Sequence, residues 1–199
     1  MGDLLDLNGR IFRRARCGLR RGTSATAWYE LGLSLETTEP VRAIAAYGRA
    51  LAGRPDLADA HNNLGRLHHE AARPARATAE STGPRAVDRD IAPVALPAHS
   101  AATPPAAARA ESCYRLAICA QPNIALYWFN LGVSVEDQGR SSEAIAAYEH
   151  AIELEPKLAD AHFNLARLLE QIGRRSNDEL VLRRAVRHLV CYRDLSRAG

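Results

Sequence analysis

The sequence predicts an all-α solenoid of stacked antiparallel helix pairs, and two recurring motifs carry that prediction. A lead motif appears as Trp28-x-x-Leu31-Gly32, His61-x-x-Leu64-Gly65, Trp128-x-x-Leu131-Gly132 and His162-x-x-Leu165-Ala166. A second motif recurs with identical spacing as Ala43-x3-Tyr47-x2-Ala50-x4-Pro55, Ala110-x3-Tyr114-x2-Ala117-x4-Pro122 and Ala144-x3-Tyr148-x2-Ala151-x4-Pro156. Leu31 and Leu64 are 33 residues apart, and Leu131 and Leu165 are 34 apart. A period of that size holds two short helices, and such units become stable by stacking on their neighbours.

Each motif position has a packing reason. Gly32, Gly65, Gly132 and Ala166 are small where a neighbouring helix crosses closely. The alanines of the second motif serve the same purpose on the second helix. Tyr47, Tyr114 and Tyr148 lie four residues after one alanine and three before the next, so they share that face and fill the space the alanines leave. Pro55, Pro122 and Pro156 cannot continue a helix interior and start the turn into the next unit.

One interval is longer than the rest. Leu64 to Leu131 spans 67 residues, a surplus of 33 over the 34 that separate Leu131 and Leu165. A hidden repeat would need a helix near Leu96, which Pro93, Pro97, Pro104 and Pro105 forbid. Six of the ten prolines lie between Pro74 and Pro105, with few large apolar side chains to offset the entropy of ordering. Residues 75–105 are therefore expected to be a disordered Pro/Ala-rich insertion. It would separate a helix ending near Arg73 from one beginning near Ala107. The shorter first interval reflects a one-residue deletion near Thr38, in a turn that tolerates it.

The large-x2-Leu-Gly lead and the Ala-x3-aromatic-x2-Ala-x4-Pro continuation resemble the tetratricopeptide repeat (TPR) family. The resemblance implies a TPR domain over residues 25–199 in about four repeats, 25–57, 58–124 with the insertion at 75–105, 125–158 and 159–199, after an N-terminal segment 1–24. Repeat three follows the pattern throughout, with Gly139 at its inter-helix turn. Repeat four departs from it, because Asp178 stands where an alanine is expected. Residues 177–195 read as one amphipathic stretch, in which Ala185, Leu189 and Tyr192 supply the missing pattern. Arg183, Arg184, Arg187, Arg193 and Asp194 are expected to give this terminal unit a polar outer face.

Composition excludes several functions and leaves others weak. The net charge is +3, and Lys157 is the only lysine among 26 basic residues. No stretch approaches the ~20 apolar residues of a membrane span. Asp3, Asp6 and a run of arginines stand where a signal-peptide core would be. Cys17, Cys113, Cys119 and Cys191 show no CxxC spacing and read as reduced thiols in a cytoplasmic protein. Six arginines fall within residues 10–21. With Leu4, Leu5, Leu7, Ile11 and Phe12 they fit a capping helix on the first repeat better than a nucleic-acid arm. There is no phosphate loop, HExxH or GxSxG, so no catalytic residue and no cofactor are expected. His61 and His162 occupy the places of Trp28 and Trp128 and read as packing. His61 and His68, with Glu70 near, are too few ligands for zinc, and no metal is expected.

The informative candidates form a row on the first helices. Two residues past each lead position stand Glu30, Asn63, Asn130 and Asn164. In TPR arrays this position lines the concave surface. Recurrent asparagine there resembles the ladder of the O-linked N-acetylglucosamine transferase superhelix, which implies contact with peptide backbone. An amide offers a donor and an acceptor, matching a peptide unit without reading its side chain. One residue earlier come Tyr29, Asn62, Phe129 and Phe163; three residues after the row come Leu33, Arg66, Val133 and Arg167. Arg66 and Arg167 suit carboxylates. The two-carboxylate clamp of chaperone-tail TPR domains is not expected, because Tyr29 and Leu33 occupy its lysine and asparagine positions. The expected function is a non-catalytic adaptor or scaffold for an extended peptide or protein segment. The alternative is a regulatory subunit that contacts nucleic acid through the basic N-terminal segment.

Overall fold

The computed structural model describes residues 24–81 and 106–198. These fold into α1 (Ala25–Leu35), α2 (Pro40–Gly53), α3 (Ala58–Ser81), α4 (Ala106–Ala120), α5 (Ala125–Asp137), α6 (Ser141–Leu154), α7 (Ala159–Ser176) and α8 (Glu179–Ala198). Consecutive helices pair as α1/α2, α3/α4, α5/α6 and α7/α8, and each pair packs on the next. The first helices α3 and α5 also meet directly. The expected N-terminal helix lies outside the described residues.

The two sequence motifs turn out to be halves of one device. A Cβ added to Gly32 would lie 2.5 Å from the Tyr47 ring, one on Gly65 2.8 Å from Tyr114, and one on Gly132 2.6 Å from Tyr148. The glycine is thus required by the tyrosine of its own repeat, whose ring lies flat on the first helix. Tyr47, Tyr114 and Tyr148 are almost fully buried, with Ala43, Ala110 and Ala144 against the same crossing at 0 % exposure. Each buried ring contributes about 2 kcal/mol through apolar burial alone. The Gly65–Tyr114 contact also identifies α3 and α4 as one repeat, joined across the insertion.

The lead position has a polar role as well as a packing one. Trp128 donates its indole N–H to the Pro122 carbonyl at 2.8 Å. His61 Nε2 meets the Pro55 carbonyl at 2.9 Å, and His162 Nε2 the Pro156 carbonyl at 3.1 Å. A carbonyl only accepts, so both histidines carry the proton on Nε2. Tryptophan and histidine interchange because each places a ring N–H within reach of the carbonyl six residues earlier.

Two expectations need correction. Helix α3 does not end near Arg73 but continues through Pro74 to Ser81, so residues 75–81 of the expected loop are helical. Alanine is frequent between 71 and 79, and its helix propensity offsets the bond that Pro74 removes. The remainder, residues 82–105, lies outside the described residues.

Residues 177–195 form one helical stretch as expected, α8, apart from Asn177 and Asp178, which mark its start. Asn177 adopts the left-handed conformation at φ 51°, which asparagine tolerates, and closes α7. Asp178 then caps α8, accepting from the Leu180 and Val181 amides at 2.9 and 3.2 Å. Gly173, in register with the turn residue Gly139 at φ 80°, is inside α7 instead. A Cβ there would lie 2.8 Å from Leu182.

The outer face of α8 is also less polar than expected. Leu180, Val186, Leu189 and Val190 are exposed among its arginines. Ala185 is buried as expected, and Tyr192 packs its ring 5.0 Å from Phe163. Leu189 takes the register position of Tyr148 and is exposed among the described residues.

Candidate functional site

The row predicted from sequence lies on one face, shared by α1, α3, α5 and α7. Asn63, Asn130 and Asn164 are half-buried there, while Glu30 is exposed. Asn63 Nδ2 donates to the Tyr47 hydroxyl at 3.4 Å, and Asn130 Nδ2 to Asn62 Oδ1 at 2.8 Å. Asn164 stands beside the Tyr148 hydroxyl, in the place that Asn63 takes beside Tyr47. One amide hydrogen of Asn63 and one of Asn130 are used in these bonds, and Asn63 also faces the Tyr29 hydroxyl. Asn130 Oδ1 and Asn164 Oδ1 accept no bond from the described residues, whereas Asn63 Oδ1 receives Asn62 Nδ2 at 3.3 Å.

The neighbouring positions divide by burial. Asn62 is 6 % exposed and serves as a bridge between Asn63 and Asn130 across the α3/α5 junction. Tyr29 and Phe129 are half-buried against the rings of Tyr47 and Tyr148, at 5.7 and 5.9 Å between centroids. Phe163 remains exposed. It borders a cavity of about 470 Å³ lined with Arg167, Leu182, Ala185, Val186 and Leu189 at the open end of the stack.

Arg66 and Arg167 already hold carboxylates of the chain itself. Arg66 bridges Glu36 and also bonds Glu70 at 2.9 Å, and Arg167 bridges Glu136. The same glutamates receive the tyrosine hydroxyls, Tyr47 on Glu36 and Tyr148 on Glu136 at 2.8 Å. Two quartets result: Glu36, Tyr47, Asn63 and Arg66 at the first junction, and Glu136, Tyr148, Asn164 and Arg167 at the third. Burial pushes both tyrosine hydroxyls well above their ordinary range, with the glutamate beside each adding to it, so both stay protonated as donors.

The middle junction is wired differently. His69 Nε2 meets Asp137 at 2.7 Å, and the Tyr127 hydroxyl on α5 donates to Asp59 on α3. None of Glu36, Glu136, Asp59, Tyr127 or Asp137 stood out in the sequence. A signal was nonetheless present. Glutamate stands four residues after Gly32 and Gly132, and arginine follows the equivalent small residue one repeat later, Gly65 and Ala166. Repeats with the glutamate are those followed by repeats with the arginine.

Fold and register together are those of a tetratricopeptide-type α-solenoid. The family model described as TPR repeat matches residues 136–173, which run from the end of α5 into α7. A crystal structure of MamA superposes with a TM-score of 0.69 at 16 % identity, covering 100 % of this chain and 97 % of that one. MamA from Desulfovibrio magneticus RS-1, residues 41 to the end, gives 0.62 at 17 % identity with 100 % and 98 % covered. An O-GlcNAc transferase of Thermobaculum terrenum gives 0.53 at 22 % identity over 73 % of this chain, which spans 22 % of that enzyme. No curated protein sequence matches the chain. A TPR array is a protein-interaction fold, and among the described residues no helix is long and apolar enough to cross a membrane.

Proposed function

We propose that the chain is a non-catalytic adaptor or scaffold that binds an extended peptide or protein segment along the face of its first helices. One observation carries this reading: Asn63, Asn130 and Asn164 stand half-buried and in register on three successive first helices, and the Asn130 and Asn164 side-chain oxygens have no partner among the described residues. Amides fixed at the repeat spacing suit a backbone whose N–H and C=O groups recur regularly. Tyr29, Phe129 and Phe163 flank the row and supply apolar contact. Arg66 and Arg167 hold the register of the row and do not receive partner carboxylates, since Glu36 and Glu136 occupy them.

The test is a dodecapeptide display library selected on the full-length chain, followed by titration of the tightest peptide. The combined change Asn63→Ala, Asn130→Ala and Asn164→Ala is expected to weaken that peptide by well over tenfold, at about 1–3 kcal/mol per lost amide pair. Lys157→Ala, in the turn before α7, serves as the neutral control. Unchanged affinity in a folded triple variant would remove this face from consideration.

A further inference from the structure

The first-helix face is acidic. Glu36 and Glu70 are held there by Arg66, Glu136 by Arg167, Asp137 by His69 and Glu170 by Arg174, which leaves Glu30, Asp59 and Asp160 without a basic partner among the described residues. Glu30 and Asp160 are exposed with no partner among the described residues, and Asp59 accepts only from Tyr127. Tyr29, beside these groups, has its hydroxyl raised by burial and then by the charges of Asp59 and Glu36. Leu33 and Leu126 add exposed apolar surface along the same helices.

The chain also carries a segment with the opposite character. Residues 1–23 contain six arginines against Asp3 and Asp6, so they more than account for the net charge of +3. Ile11, Phe12 and Leu19 are interspersed among those arginines. Arg21 is three residues from Ser24, the cap of α1, and twelve extended residues reach about 40 Å. That length spans the face of the first two repeats.

We infer that residues 10–21 dock in the same molecule onto the acidic first-helix face around Glu30 and Asp59, occupying the groove that a partner segment must enter. The inference rests on reading that face as a segment-binding groove. Charge supplies the attraction and the interspersed apolar side chains supply contact, so a partner must displace the segment before it can bind.

Limited trypsin digestion of the full-length chain tests this, because the arginines of the segment are the cleavage sites. Cleavage within residues 10–21 is followed in the wild type and in Glu30→Gln with Asp59→Asn, a pair that keeps the Asp59 acceptor for Tyr127. The variant is expected to be cut at least about threefold faster at ~0.05 M salt. The difference should shrink at ~0.5 M, where charges are screened, and rates should not depend on protein concentration. A matched melting temperature shows that the variant is folded. Equal rates in the two proteins would overturn the docking. Protection that grows with protein concentration would also overturn it, by placing the occupant in a second copy. Because Asn63, Asn130 and Asn164 are untouched, either result is independent of whether those amides hold the selected peptide.

Discussion

Arg167 on α7 and the Tyr148 hydroxyl on α6 meet on the two oxygens of one carboxylate, Glu136 at the end of α5, so a single side chain ties three helices of two repeats together. Glu36 makes the same junction with Arg66 and Tyr47. These glutamates connect the stability of the stack to the row of amides that the stack presents.

Glu136→Ala should therefore cost more than an ordinary surface ion pair. The exposed Arg167 can return to water, but the Tyr148 hydroxyl is left without its acceptor inside the crossing, at about 1–3 kcal/mol. Glu136→Gln keeps an acceptor and should lose less. Urea unfolding of the two variants measures the difference, and equal losses would show that charge, not acceptance, is what Glu136 supplies.

Gly132→Ala should be among the more damaging single-methyl additions in the chain. Its Cβ would lie 2.6 Å from a ring atom of Tyr148, which is 0 % exposed and has no free space to move into. Overpacking of this kind costs about 1–3 kcal/mol or more. Tyr148→Leu in the same chain should recover part of the loss. Additive destabilisation by the two changes would mean that the glycine answers some other constraint.

His61→Trp should leave stability unchanged or raise it. The Nδ1 atom of His61 is buried without a partner, while the Nε2 bond to the Pro55 carbonyl is one that an indole N–H also makes, as Trp128 does with Pro122. Removing an unpaired acceptor is worth about 1 kcal/mol. A lower denaturant midpoint would show that the larger ring does not fit between α3 and its neighbours.

Acidification should weaken the α7/α8 pair. His188 Nδ1 lies 3.0 Å from His162 Nδ1, and burial, then His162, Arg184 and Arg187, hold the His188 pKa below its ordinary 6.5. The folded protein keeps this ring neutral at pH values where the unfolded chain binds a proton. Its contribution is present above about pH 6.5 and is lost as pH falls below that value. Urea midpoints between about pH 8 and pH 5 should decline, and His188→Gln should flatten the decline. An identical slope in the variant would assign the acid sensitivity to other groups.

Much of the fold was legible because it is built from short-range repetition. Trp128, Gly132, Ala144, Tyr148 and Pro156 lie within one repeat, and their spacing alone states which faces must touch. The asparagine row was legible for the same reason, since equal positions in equal helices share a face. The turn at Asn177 and Asp178 was harder to see, because a left-handed asparagine and an aspartate cap replace the glycine and alanine of the pattern. The continuation of α3 to Ser81 was hidden by Pro74, which reads as a stop unless the surrounding alanines outweigh it.

The sequence by itself determined the repeat period, the helix pairing, the close crossings at the small residues and the in-register amides, all of which follow from spacing along a helix of fixed geometry; that each glycine answers the tyrosine of its own repeat came from the structure. Only the tertiary structure decided what the polar side chains of that face do. Glu36 and Arg66 are 30 residues apart, and Glu136 and Arg167 are 31 apart. Their meeting depends on the angle at which one repeat packs on the next. That angle comes from the summed contacts of many buried side chains, which no single motif encodes, and it assigns both arginines to the chain's own carboxylates.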